Sequence, residues 1–115
     1  FPEVTFIWKY EEDDEFSRNV TISMKNIVMK SWMPQVDILS HPRLSAFITH
    51  GGMASTQETA TLGVPGIFIP LFADQPRNAG MMQFNKLGKV LSKFDIINTD
   101  KFIAVVKEVL EDERY

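Results

Sequence analysis

Residues 45–58 read SAFITHGGMASTQE, and the rest of the chain is organised around this stretch. Residues 45–49 predict a short buried strand, and a helix is expected to begin near Met53, after the turn His50-Gly51-Gly52. A strand, a glycine turn and a helix start direct several backbone N–H groups at one point, where the helix dipole adds roughly half a positive charge. The glycines allow a ligand to approach the backbone closely. The turn therefore suits an anion such as phosphate, although many similar turns bind nothing.

Composition restricts the class of protein. The 115 residues suit one domain with a real core, and 44% apolar and 23% charged residues are ordinary for a globular protein. A net charge of −3 argues against nucleic acid as the main partner, and the absence of cysteine excludes a disulfide framework or a thiolate zinc site. No apolar run reaches the roughly 18 to 20 residues of a membrane span, and no signal peptide is evident. Because the chain begins at Phe1 inside a strand-like segment, we expect a fragment.

Short apolar segments alternate with helical segments along the chain. We predict strands at 4–10, 26–32, 45–49, 66–70 and 90–91. We predict a helical turn at 35–40, helices at 53–62 and 76–87, and a last helix that is capped by Asn98 or Thr99. The five acidic residues at 11–15 and the polar residues up to 23 are typical of a solvated loop. The alternation indicates an α/β domain with a doubly wound parallel sheet, in which ligands bind at the carboxyl ends of the strands.

Polar and aromatic side chains follow three of the predicted strands. Trp32 could stack on a base or belong to the core, and Gln35 could bind sugar hydroxyls or be an ordinary surface residue. His50 can donate a hydrogen bond to a phosphate oxygen or make a local backbone contact. Ser55 can join the anion site or cap the backbone. Because the strands end at one edge of the sheet, we expect these side chains to converge there.

Acidic and amide residues supply candidate partners for sugar hydroxyls. Glu58 could accept hydrogen bonds from ribose hydroxyls or be a solvated acid on the helix face. Asp74 and Gln75 form a turn signature before Pro76 and also offer acceptors and donors. With two histidines and no cysteine, the chain has few potential metal ligands. No pair of a nucleophile and a neighbouring base is evident in the sequence. We therefore expect no metal ligand and no catalytic residue in this chain.

The stretch 32–79 reads WMPQVDILSHPRLSAFITHGGMASTQETATLGVPGIFIPLFADQPRNA. It closely resembles the signature region of the UDP-glycosyltransferases, most of all the animal UDP-glucuronosyltransferases. The W-x-P-Q start, the H-x-G turn, the Ser and Glu of the next helix and P-L-x-x-D-Q stand at the family's spacing. The resemblance implies a GT-B enzyme with two Rossmann-like lobes, of which this chain is most of the C-terminal, donor-binding lobe. The N-terminal acceptor lobe, with its catalytic histidine, and a C-terminal membrane helix would lie outside the chain.

The resemblance also implies a role for each candidate residue. Trp32 would stack on uracil, Gln35 would contact uracil or ribose, and Glu58 would bind ribose hydroxyls. The diphosphate would be held by Thr49, His50, Gly52 and Ser55, with Gly51 in the same turn. Asp74 and Gln75 would bind the transferred sugar. Ala54 and Met53 depart from the family, which usually has asparagine and serine or tryptophan there, so the identity of the sugar is in doubt.

The implied reaction is an inverting transfer of glucuronic acid or a hexose from UDP-glucuronate or UDP-glucose, with no further cofactor. The acceptor would be a small lipophilic molecule, and the full-length protein would lie on the lumenal side of the endoplasmic reticulum membrane. The fragment alone would bind UDP weakly and turn over nothing. Three alternatives stay open: a non-catalytic UDP-sugar-binding module or partner subunit, a doubly wound domain without nucleotide, and another enzyme on this scaffold, such as a UDP-sugar epimerase.

Overall fold

Strands and helices alternate in the predicted order in a computed structural model that describes residues 1–10, 15, 18–19 and 22–112. The predicted solvated loop at 11–23 lies largely outside these residues. The described elements are β1 Phe6–Lys9, β2 Ile27–Lys30, α1 Gln35–Leu39, β3 Phe47–Thr49, α2 Met53–Leu62, β4 Gly66–Phe68, α3 Gln75–Phe84, β5 Gly88–Val90 and α4 Thr99–Glu111. The chain divides into two compact units, Phe1–Gln35 and Val36–Tyr115.

The first unit contains one parallel strand pair. Strands β1 and β2 run side by side, with Phe6 opposite Ile27 at one end and Lys9 opposite Lys30 at the other. The Asn26 side chain donates hydrogen bonds of 3.1 Å to the carbonyls of Phe1 and Val4, so the beginning of the chain is attached to the start of β2.

The second unit contains a three-stranded parallel sheet in the order β3-β4-β5. All three residues of the central strand β4 are buried. Ile67 packs with Val106 and Val109 of α4, whereas Phe68 packs with Ala79 and Met82 of α3. Because successive side chains of a strand point to opposite faces, different helices cover the two faces of β4. This covering confirms the doubly wound α/β arrangement.

The helix ends follow from local chemistry. Helix α2 has the predicted bounds and ends at Gly63, whose φ of 70° needs no side chain. Helix α3 ends at Phe84, three residues earlier than predicted, because Lys86 takes a left-handed φ of 59° and Leu87 N–H donates to the Met82 carbonyl. Asn98 caps α4 by accepting a 3.2 Å hydrogen bond from the Lys101 N–H, which decides between the two predicted caps.

Two glycines allow β4 and β5 to approach beneath a buried aromatic ring. Gly66 and Gly88 are opposite each other in the ladder. A Cβ added to Gly88 would lie 2.2 Å from the Gly66 carbonyl oxygen, and one added to Gly66 would lie 2.4 Å from the Phe68 ring. Neither neighbour is a flexible side-chain end, so the sheet would have to open to accommodate a methyl group.

We predict that Gly88→Ala lowers the free energy of unfolding by about 2 kcal/mol or more, because overpacking forces the backbone to move. Gly80→Ala is the matched control, since Gly80 lies in α3 and a Cβ there meets nothing within 4 Å. The control should raise stability by about 0.5 to 1 kcal/mol through helix propensity. Urea unfolding measures both, and equal effects would contradict the close approach.

Candidate functional site

The glycine turn after β3 is held in place by two side chains that donate hydrogen bonds to one of its backbone carbonyls. The Gly51 oxygen accepts hydrogen bonds from the Thr56 hydroxyl at 3.2 Å and from the Asn78 amide nitrogen at 3.0 Å. Both donor side chains are buried, and one comes from α2 and the other from α3. Gly51 has φ +89°, a conformation that L side chains rarely adopt. The turn is therefore fixed to two helices at a residue that has to be glycine.

Fixing this carbonyl also sets the direction of the next amide. A trans peptide is planar, so the Gly52 N–H points away from the Gly51 oxygen and its buried donors. That N–H donates to His50 Nδ1 at 3.1 Å, and the Gly51 N–H donates to the Thr49 hydroxyl at 3.3 Å. The local backbone contact considered for His50 is thus present. Because Nδ1 accepts, the neutral imidazole carries its proton on Nε2, and the exposed ring can donate from there.

The start of α2 offers further donors. Gly52 is the N-cap residue and provides no side-chain cap, and the first bond along the helix runs from Thr56 N–H to the Gly52 carbonyl at 2.9 Å. The amides of Met53 and Ala54 precede that bond, so the helix itself supplies no acceptor for them. Ser55 lies half-buried in the same turn. An anion would find open N–H groups and the positive end of a ten-residue helix here.

The second polar turn, between β4 and α3, is ordered by Gln75. Its Oε1 accepts hydrogen bonds from the N–H groups of Leu71 at 2.9 Å and Phe72 at 3.1 Å, and the side chain is 7% exposed. Ala73 takes a left-handed φ of 60° in this loop. Because Oε1 is occupied twice, Nε2 is the part of Gln75 that can serve a ligand. Asp74 is exposed, and its Oδ2 accepts from Asn78 Nδ2 at 3.1 Å.

The two turns lie next to each other. Asn78 contacts both Gly51 and Asp74, and a Cβ on Gly51 would lie 3.6 Å from the Gln75 carbonyl oxygen and from the Phe68 ring. The second unit thus brings together the diphosphate candidates and the sugar candidates, Thr49, His50, Gly51, Gly52, Ser55, Asp74 and Gln75. Their roles as ligand contacts stay predictions.

The remaining candidates lie elsewhere in the chain. Glu58 is half-buried and lines an open groove of about 230 Å³ with Val36 and Leu62, between α1 and α2. Trp32 and Gln35 belong to the first unit. Trp32 is 74% exposed, so the core alternative for this residue is wrong, and its indole face is open to a partner. Gln35 begins α1 and is half-buried.

Sequence reasoning missed the two residues that fix the glycine turn. Thr56 and Asn78 are each 2% exposed, although their types are usually found at the surface. A signal for Asn78 becomes visible only with the observed helix start, since Asp74 is the N-cap of α3 and side chains four residues apart on a helix meet. The contact of Asn78 with Gly51, 27 residues away, has no counterpart in local spacing.

Within the described part of the chain, no group of three His, Cys, Asp or Glu side chains could hold a metal ion. No helix in that part is both long and apolar enough to cross a membrane.

Comparison with known proteins decides the family. The model of the family described as "UDP-glucoronosyl and UDP-glucosyl transferase" matches residues 2–115. The chain belongs to this family. Membership confirms the resemblance of the signature region and extends it over the flanking strands and the last helix.

Relatives from several animals are similar over most of the chain. The Caenorhabditis elegans protein ugt-55 is 40% identical over 114 residues, which are 99% of this chain and 22% of that protein. UDP-glucuronosyltransferase 3A1 of Mus musculus is 41% identical over 90 residues, 78% of this chain and 17% of the relative. UDP-glycosyltransferase UGT4 of Dactylopius coccus is 38% identical over 109 residues, 95% of this chain and 20% of the relative. The chain thus spans about a fifth of the length of these relatives.

A solved structure confirms the fold. The crystal structure of the glycotransferase of kitacinnamycin superimposes with a TM-score of 0.79 and 25% sequence identity, covering 94% of this chain and 27% of that chain. The UDP-glycosyltransferase chain therefore has the Rossmann-like α/β fold of GT-B glycosyltransferases.

We predict that Thr56→Val, which keeps the β-branched shape, lowers the free energy of unfolding by about 1 kcal/mol, because Gly51 loses one buried donor. Thr61→Val is the control, since Thr61 is exposed on the same helix and should stay within about 0.5 kcal/mol of the parent. Urea unfolding at constant pH compares them. Equal stability of the two variants would show that the Thr56 hydroxyl does not hold the turn.

Proposed function

We propose that this chain is the UDP-sugar-binding part of an inverting glycosyltransferase, which transfers glucuronic acid or a hexose to a hydroxyl of a small lipophilic acceptor. The observation that carries the proposal is the junction of the two turns in a member of the UDP-glycosyltransferase family. One turn presents N–H donors suited to a diphosphate, and the other presents a carboxylate and an amide suited to a sugar.

The glycine turn would bind the diphosphate and stabilise the negative charge that grows on it as UDP leaves. The donors are the N–H groups at the start of α2 and the Nε2–H of His50, which the Gly52 contact holds in place. Such donors are set in position before the reaction, so little reorganisation is required in the transition state. Thr49 and Ser55 complete this half of the site.

The second turn would hold the transferred sugar. Asp74 keeps Oδ1 to accept from a sugar hydroxyl while Oδ2 is bound to Asn78, and Gln75 can donate from Nε2. Glu58 would bind the ribose hydroxyls, and the exposed Trp32 would stack on uracil beside Gln35. UDP-glucuronate and UDP-glucose both carry the hydroxyls that this set recognises.

The chain's part in the reaction is binding and charge stabilisation. A base elsewhere in the full-length protein would deprotonate the acceptor hydroxyl, whose oxygen forms a bond to C1 of the sugar as the bond from C1 to the diphosphate oxygen breaks. We therefore expect no turnover by the 115-residue chain alone. By the same family resemblance, we propose that the full-length protein acts on the lumenal side of the endoplasmic reticulum membrane.

We predict that His50→Ala weakens UDP binding by about tenfold or more, because a hydrogen bond to a charged phosphate oxygen is lost. His41→Ala is the matched control, since His41 Nδ1 also accepts a 3.1 Å hydrogen bond from a backbone N–H two residues ahead, that of Arg43. Titration calorimetry of the full-length protein with UDP gives both dissociation constants.

Unchanged affinity on His41→Ala and weakened affinity on His50→Ala support the proposed diphosphate site. Equal effects of the two substitutions would place the diphosphate elsewhere. A parent protein that binds neither UDP nor a UDP-sugar would overturn the proposed function as a whole.

A further inference from the structure

We infer that Asn78 is a positioning residue, which makes recognition of the transferred sugar depend on the diphosphate turn. The inference rests on the proposed function, since it assigns Asp74 to the sugar and Gly51 to the diphosphate half. Asn78 itself is 2% exposed and acts through these two residues.

The two contacts of Asn78 come from one planar group. Its Nδ2 donates to the Gly51 carbonyl at 3.0 Å and to Asp74 Oδ2 at 3.1 Å. An amide NH₂ has two hydrogens, so each acceptor takes one. Rotation of this amide would break both hydrogen bonds together and leave a buried donor unsatisfied, which is costly. The Gly51 carbonyl and the Asp74 carboxylate are therefore held at a fixed separation.

The backbone around Asp74 gives an independent sign that its carboxylate is committed to this arrangement. Aspartate at an N-cap usually accepts from an amide of its own helix. Asp74 is the N-cap of α3, yet its side chain makes no capping hydrogen bond, and its φ of −82° and ψ of −5° are helical rather than extended. The preceding Ala73 has a left-handed φ of 60°, which is unfavourable for alanine. The loop conformation thus directs the Asp74 carboxylate to Asn78, and the N-cap hydrogen bond of α3 is not made.

This arrangement has a consequence for ligand binding. With Oδ2 held by Asn78, the exposed carboxylate presents Oδ1 in one orientation, and less conformational entropy is lost when a sugar hydroxyl binds. Loss of the second hydrogen of Asn78 should weaken binding of the sugar more than binding of UDP. Thr56 offers a contrast, because it donates to the same Gly51 carbonyl and makes no hydrogen bond to Asp74 in the structure.

The test compares dissociation constants for UDP, UDP-glucose and UDP-glucuronate in the full-length protein by titration calorimetry. The measured quantity is the ratio of the constant for the better-bound UDP-sugar to that for UDP. Asn78→Ser replaces two donor hydrogens by one, and the ratio should rise about tenfold, since a hydrogen bond to a carboxylate is lost. Thr56→Val should weaken both ligands together and leave the ratio within about twofold of the parent.

Two further variants show whether Asn78 acts through Asp74. In an Asp74→Ala background, Asn78→Ser should leave the ratio unchanged, because the carboxylate that it positions is gone. Asn85→Ser is the surface control, since Asn85 is exposed just beyond α3 and its amide donates to the Met81 carbonyl of that helix at 2.8 Å. Urea unfolding checks that each variant is folded, and Asn78→Thr, with one hydroxyl donor and a fuller volume, replaces Asn78→Ser if that variant is unfolded.

A tenfold rise in the ratio that disappears in the Asp74→Ala background supports the inference. Equal weakening of UDP and UDP-sugar by Asn78→Ser, or the same rise with and without Asp74, overturns it while the proposed function stands. Absence of UDP-sugar binding in the parent protein is the separate result that overturns the proposed function.

Discussion

The Gly51 carbonyl is the acceptor on which the candidate site of the second unit depends. Its two hydrogen bonds, from Thr56 and Asn78, attach the turn after β3 to α2 and to α3 at one atom. Since the peptide is planar, the same contacts turn the Gly52 N–H toward His50 and away from the interior. The buried hydrogen bonds of Gly51 and the hydrogen bond between Gly52 and His50 therefore follow from one constraint.

The core supports this candidate site from below. Strand β4 is covered on both faces, by α4 at Ile67 and by α3 at Phe68, and it carries the second polar turn at its carboxyl end. A site on short loops has a well-defined geometry when the strands and helices that carry the loops cannot shift. The close approach of β4 and β5 at Gly66 and Gly88, beneath the Phe68 ring, supplies that stiffness. The two strands are packed so closely there that neither position has room for a Cβ atom.

Much of the fold and part of the site could be predicted from sequence. End signals determined α2, the 3.6-residue period determined α4, and the family motifs singled out Asp74 and the turn in which Gly51 lies. The link between these two residues could not be predicted, because Asn78 and Gly51 are 27 residues apart and no local pattern encodes their contact. The Gln75 oxygen was likewise taken as a ligand group, since its bonds to the Leu71 and Phe72 amides depend on loop conformation. Motifs indicate which residues are candidates for ligand binding, and packing decides which of their atoms are open.

The ring of Phe68 lies against three glycines, two of them in the sheet and the third, Gly51, in the turn of the candidate site. A single aromatic side chain thus belongs to one cluster of the core and also lies under the candidate diphosphate turn. A substitution of Phe68 made to raise thermal stability would therefore also disturb the candidate site at Gly51. Met53 and Ala54 at the start of α2 are exposed, so their side chains can be exchanged with less effect on the core.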